Sequence, residues 1–229
     1  MTSPTRSHID RRRRGRLLPC ALAAAVAVLC GGCNIGGPVY YAIAGPGKVP
    51  REYQLDKSDA TVLFIDDPSG KAADRRYRTI IGETAERILL QKGLVNEGNM
   101  ISTRSATALA SRGAKTNNNS NREVGETVGA DVVVYAMVRE FNRSPASTDR
   151  PVPSALLHVK VIDVATGERL WPAQTEGYPL MVRTPPDPSI AAQETSEIRE
   201  MREGLAAYAG TALAELFYSV EIPLSHRRY

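Results

Sequence analysis

Gly129-Ala130-Asp131-Val132-Val133-Val134-Tyr135-Ala136-Met137-Val138 is the stretch on which the fold turns. Seven successive apolar residues, mostly β-branched or aromatic, follow a Gly-Ala-Asp turn, at a length that suits a strand better than a helix. No polar residue alternates with them, so both faces of this strand must be covered, as in a sheet with helices on each side. A second run of the same kind, Thr61-Val62-Leu63-Phe64-Ile65, ends at the turn-forming Asp66-Asp67-Pro68-Ser69-Gly70.

Between these two strands the pattern changes to a helical period. Tyr77, Ile80, Ile81, Thr84, Ala85, Ile88 and Leu89 recur at three and four residues and predict a helix over 74–92, with Gly93 placed to cap it. A short strand at Met100-Ile101-Ser102 and helices at 103–112 and 121–128 complete the crossover, around a polar loop at 117–121. Beyond the central strand, a Pro-rich loop over 142–153 leads to a strand over 155–164. The turn Asp163-Val164-Ala165-Thr166-Gly167-Glu168 then returns the chain as Arg169-Leu170-Trp171, read as the last strand. A helix over 189–219, broken near Gly204, closes the domain with a stripe of Ile198, Met201, Leu205, Tyr208, Ala212, Leu213, Leu216 and Phe217. The expected fold is α/β: one three-layer domain over 59–221, its mixed sheet of parallel strands and an antiparallel edge hairpin flanked by helices, with a long C-terminal helix. Residues 222–229 form a tail.

The other end of the chain is an address. Of 229 residues, 42% are apolar and 24% charged, a globular composition with a net charge of +4. Six arginines fall within residues 1–32 against the single acid Asp10, which leaves 23 basic and 24 acidic residues and a net of −1 for the rest. The basicity belongs to the leader, so it does not point to nucleic acid. Arg11 to Arg16 precede the run Leu17 to Cys30, whose length fits the apolar core of an export signal and falls short of the roughly 20 residues of a membrane span.

Residues 1–32 are therefore read as a signal peptide and 33–58 as a flexible tether punctuated by Gly36, Gly37, Pro38, Gly45, Pro46, Gly47 and Pro50. The junction Leu29-Cys30-Gly31-Gly32-Cys33 resembles the bacterial lipoprotein lipobox, with Cys30 in place of the usual aliphatic residue. The resemblance implies lipidation of Cys33, membrane attachment through that lipid, and, since Asn34 rather than Asp follows, the periplasmic face of the outer membrane rather than the inner membrane.

Two segments carry a further resemblance. Gly129 to Val138 and the hairpin Val159-Lys160-Val161-Ile162-Asp163-Val164-Ala165-Thr166-Gly167-Glu168-Arg169-Leu170-Trp171 are similar to segments of the curli-secretion lipoprotein (CsgG) superfamily. The penicillin-binding-protein activator lipoproteins (LpoB) and the TolB amino-terminal domain share the pattern, over roughly 59–219. The resemblance implies a non-enzymatic, lipid-anchored cell-envelope protein, an assembly or accessory module that binds an envelope protein or itself. Activation of a peptidoglycan synthase is the alternative. A curli-type channel is disfavoured, because 103–121, 142–153 and 174–188 lack the alternating strands of about 10 residues that a barrel uses.

The chemistry-bearing residues are few. Asp66 and Asp67 lie at the carboxyl end of a strand, where α/β sheets place ligands, and could serve a metal-dependent hydrolase, although the same residues make an ordinary turn. His158 is expected on the solvated face of its strand and His226 in the tail, too few for a zinc site or a triad. No cofactor or metal is expected. Loop 174–188, with Tyr178, Leu180 and Met181, has exposed apolar character and is the candidate partner contact, beside Asp66 and Asp67.

Overall fold

The computed structural model describes residues 48–72, 74–113, 121–143, 153–184 and 195–221. The leader, Cys33, the loops around 117 and 147, and the tail with His226 lie outside them. The chain divides into a compact unit of residues 49–220 and a second made of the flanking residues, whose described part is Lys48 and Glu221, ion-paired at 3.4 Å. The elements are β1 (Lys48–Val49), β2 (Thr61–Asp66), α1 (Arg75–Gln91), β3 (Met100–Ile101), α2 (Thr103–Gly113), α3 (Asn121–Val128), β4 (Val132–Arg143), β5 (Pro153–Asp163), β6 (Arg169–Trp171), β7 (Tyr178–Arg183), α4 (Thr195–Glu215) and β8 (Val220–Glu221). Strands β1 and β8 pair as a small sheet of their own.

The main sheet runs β3-β2-β4-β5, with β6 and β7 both on the far side of β5. Strands β3, β2 and β4 are parallel; β5 is antiparallel to β4, and β6 and β7 to β5. This is the expected mixed α/β sheet with helices on both faces. Leu63, Ile65, Val134, Ala136, Leu157 and Val159 face one apolar cluster with Ile81, Ala85 and Leu89 of α1 and Leu205, Ala209 and Leu213 of α4. Val62, Phe64, Val133 and Tyr135 face a smaller one with Ala106 of α2 and Val124 of α3. Each large side chain so buried contributes roughly 1.5–3 kcal/mol, which is why the unbroken apolar runs belong in the middle.

The Gly-Ala-Asp turn has a physical task at each position. Gly129, at φ 75°, ends α3, and Ala130 N–H donates back to Gly125 O at 2.9 Å. Asp131 then ties two strand starts together: its N–H donates to Ala60 O at 2.7 Å and its carboxylate accepts from Ala60 N–H at 2.9 Å. Helix α1 begins on Asp74, whose carboxylate accepts from Arg76 N–H, and ends at Gly93 with the paired bonds Gly93 N–H to Leu90 O and Leu94 N–H to Leu89 O.

Several features differ from the sequence reading. Strand β4 runs past Val138 to Arg143, and a bulge between Val138 and Glu140 adds one residue. The extra residue turns Glu140 outward and puts Phe141 in the core, stacked on Tyr77 with centroids 5.4 Å apart. Loop 174–188 contains strand β7, so Trp171 does not end the sheet. Helix α4 passes through Gly204 unbroken, and its Tyr208 is 50% exposed rather than buried. The small residues Ala206, Ala209 and Gly210 make the contact instead, because they let α4 come close to α1.

The last part of the span read as tether lies on the domain. Leu55 is buried in the main cluster, and the N–H groups of Glu52 and Tyr53 donate to Leu216 O at 2.8 and 3.1 Å. Asn99 Nδ2 donates to the carbonyls of Lys57 and Ser58 at 3.0 and 2.9 Å.

The two glycines of α4 separate packing from propensity. A Cβ at Gly210 would stand 2.4 Å from the backbone oxygen of Ile81, whereas nothing lies within 4 Å of one at Gly204. Gly210→Ala is expected to destabilise by about 1–3 kcal/mol. Gly204→Ala should stabilise by about 0.5–1 kcal/mol. Denaturant unfolding of the two variants checks both signs.

Candidate functional site

The sequence singles out two places, the carboxyl end of β2 and the segment after β6. At the first, Asp66 and Asp67 do different things. Asp67 builds the turn: its two carboxylate oxygens accept from Lys71 N–H and Ala72 N–H, each at 2.8 Å, and its carbonyl accepts from Gly70 N–H at 3.2 Å. That arrangement seats Ala72 in the core and aims the chain at α1. Asp66 faces the other side of the sheet, where Tyr135 Oη donates to its Oδ2 at 2.9 Å. Burial of Tyr135, reinforced by the Asp66 charge, pushes the phenol well above its ordinary range, so it stays protonated and donating.

This corner is a topological switch point, since the connection from β2 leads to β3 on one side and the connection from β3 leads back to β4 on the other. The two carboxylates do not converge on a common point. Among the described residues, no group of three or more His, Cys, Asp or Glu side chains could hold a metal ion. His158 stands on the half-buried face of β5, opposite the core residues Leu157 and Val159, with Nδ1 3.1 Å from Glu176 O. Glu176 also pairs with Arg139, the residue at the β4 bulge, at 3.2 Å.

At the second place the three candidate contact residues separate. Strand β7 alternates: Tyr178 and Leu180 pack against the main cluster, Val182 is buried, and Met181 is 51% exposed on the opposite face. Of the three, Met181 is the one that offers an apolar surface. Tyr178 belongs to an aromatic row in which Trp171 lies 5.0 Å from Tyr178 and 6.2 Å from Tyr53, centroid to centroid. Tyr178 Oη donates to Glu52 at 3.2 Å, and burial with the Glu52 charge raises the phenol.

Sequence reasoning missed Tyr135, Glu52 and Tyr53. The signal for the last two was an aromatic residue and Leu55 close together just after a Gly/Pro-rich stretch.

A group of acids gathers at the opposite end of the parallel strands. Asp163 Oδ1 accepts from Thr166 N–H at 2.7 Å and Thr166 Oγ1 at 2.8 Å, which closes the β5–β6 turn, and Gly167 takes φ 75°. Those bonds hold the Asp163 carboxyl below its ordinary range. Asp59 is raised instead, first by burial and then by the charges of Asp56, Asp131 and Asp163.

No protein-family model matches the chain, and no curated protein does. Solved structures to which it is similar include the PelC dodecamer from Paraburkholderia phytofirmans, at 14% identity over 74% of this chain and 91% of that one, with a TM-score of 0.40. Lipoprotein GNA1162 from Neisseria meningitidis is similar at 15% identity over 57% and 88%, TM-score 0.38. The LpoB C-terminal domain from Salmonella enterica is similar at 17% identity over 57% and 87%, TM-score 0.34. Bacterial lipoproteins are thus among the chains it resembles, at scores too low to transfer a function.

The two shifted carboxyls give opposite pH signatures. An acid whose folded pKa is raised costs stability as pH climbs through the unfolded value of about 3.9 and beyond. Asp59→Asn should therefore raise the melting temperature near pH 7, with the gain fading below that value. Asp163, held low, adds stability above its unfolded pKa and loses it as pH falls through the folded one. Asp163→Ala should lower the melting temperature at pH 7, by a margin that narrows in acid. Thermal melts of the two variants from pH 3 to 7 read both trends.

Proposed function

We propose that this chain is a lipid-anchored protein of the bacterial cell envelope that works as an assembly or accessory binding module and not as an enzyme. The observation that carries the reading is Leu29-Cys30-Gly31-Gly32-Cys33 behind an arginine cluster and an apolar core of signal length. Cys33 takes the lipid, and Asn34 directs the protein to the periplasmic face of the outer membrane. The partner is a protein of the envelope or another copy of the chain.

The geometry at Asp66 and Asp67 favours this reading over a metal-dependent hydrolase. Both oxygens of Asp67 are committed to backbone N–H groups of its own turn, and Asp66 Oδ2 is held by Tyr135. Two stretches that a channel subunit would have to release as membrane hairpins are integral to the domain instead. Thr103 and Thr107 of α2 are buried, and β7 is paired with β5 along six residues.

Mass spectrometry of the amino-terminal peptide from native membranes tests the anchor. A peptide that begins at Cys33 and carries a diacylglyceryl group is expected, and labelling by fatty acid should vanish in Cys33→Ala. Affinity capture after mild detergent extraction tests the binding role and should return a specific envelope protein or a second copy of the chain. A mature terminus elsewhere than Cys33 defeats the anchor. A melting temperature raised by Mg²⁺ or Ca²⁺, and no longer raised in Asp66→Ala, would instead bring back the hydrolase.

A further inference from the structure

Strand β7 has an outer edge that no other strand occupies among the described residues. Its hydrogen-bonding phase follows from one bond. Thr184 N–H donates to Pro153 O at 3.1 Å, in register with the pairs Arg183–Ser154 to Tyr178–Val159. Alternate residues of an antiparallel strand bond to opposite neighbours. Residues 184, 182, 180 and 178 therefore bond inward to β5, and Arg183, Met181 and Pro179 turn their backbone groups outward. Pro179 thus sits where its missing N–H costs the sheet nothing. The outward edge offers the N–H and C=O of Met181, those of Arg183, and the C=O of Pro179.

That set is complementary to itself. We propose that a second copy of the chain pairs with the first along β7, antiparallel and centred on Met181. In this register the two Met181 residues exchange both of their bonds. Each Arg183 N–H meets the Pro179 C=O of the other copy, so the proline's missing donor leaves a single acceptor, the Arg183 C=O, to water on each side. The exposed Met181 side chains meet on the face away from the main core. Arg183, exposed, is carried past Pro179 toward the other copy's Glu176, which pairs with Arg139 of its own copy at 3.2 Å and whose side chain is still 74% exposed. Hydrogen bonding alone also admits the register centred on Val182, in which Met181 pairs with Arg183; that register carries Arg183 further from Glu176, so charge selects the one centred on Met181. The two edges consume each other, so the assembly closes at two.

A ladder of five residues per strand is small beside the roughly 1,600 Å² of a standard stable interface. The lipid anchor enters here alone: copies confined to one membrane meet at a raised effective concentration, which lets a weak ladder form.

The test uses the full chain, oxidised in its native membrane, where the copies stay confined. Cα atoms of a hydrogen-bonded cross-strand pair stand about 5.5 Å apart, within disulfide range. Met181→Cys should therefore give a disulfide-linked dimer under mild oxidation at least about tenfold faster than Tyr208→Cys, an exposed site on α4. The native chain runs in parallel. A disulfide in it would come through an unlipidated Cys33, or through Cys20 or Cys30 of an unremoved leader, and defeat the anchor, and the strand pairing is then read from the excess in Met181→Cys.

Sedimentation of the chain extracted in mild detergent, over a rising concentration series, supplies the second measurement. The native chain should associate to a dimer as its concentration rises. Met181→Pro, which removes a donor that points away from β5, should be a monomer with the melting temperature of the dilute native chain. Equal rates for the two thiols, a monomeric native chain, a dimer that survives Met181→Pro, or an assembly larger than two overturns the proposal.

Discussion

Strand β4 must be covered on both faces, and the rest of the domain follows from that demand. Val134, Ala136 and Val138 turn to one side and Val133 and Tyr135 to the other, all of them buried. One helical layer cannot satisfy such a strand, so α1 and α4 take one face and α2 and α3 the other. The parallel β2 lies along one edge of β4 over six paired residues, and the long antiparallel β5 along the other. Asp131 fixes where this arrangement starts, because its backbone and carboxylate together hold Ala60 at the foot of β2.

The demand weakens away from the centre, and the features open to partners lie there. Strand β5 alternates between core and half-buried residues, and β7 between core-packed and exposed ones. The helices that cover Val133 and Tyr135 leave Met181 and His158 at least partly open on that side. On the core side, the aromatic row of Tyr53, Trp171 and Tyr178 joins the incoming chain to the same two edge strands. The edge of the sheet thus has its core face tied to the chain's own amino-terminal approach and its other face partly open, with Met181 exposed there.

Polar residues in this fold mostly build turns and strand junctions. Asp67, Asp74, Asp131 and Asp163 each accept from nearby or facing backbone N–H groups, and each fixes a change of direction. Carboxylates spent this way are poorly placed for catalysis, since their lone pairs are already directed at the backbone. Asp66 is the exception, held by a phenol from a neighbouring strand rather than by its own turn.

The sequence by itself determined the order of the elements apart from β1, β7 and β8, the two central strands, the capped helix α1 and the Asp163–Gly167 turn. Each of these is written in residues close along the chain, through period, branching, or a glycine where the backbone must take positive φ. The tertiary structure alone decided the bulge at Arg139, strand β7, the seating of residues 52–58 and the pairing of Tyr135 with Asp66. Tyr-Pro-Leu-Met-Val-Arg has no strand period strong enough to stand without β5 beside it, and Pro179 weakens the signal further. Glu52 and Tyr53 are legible only once Leu216 and Trp171, more than a hundred residues away, are in place. Local pattern records what a residue prefers, whereas an edge strand or a docked segment takes its structure from the surface it meets.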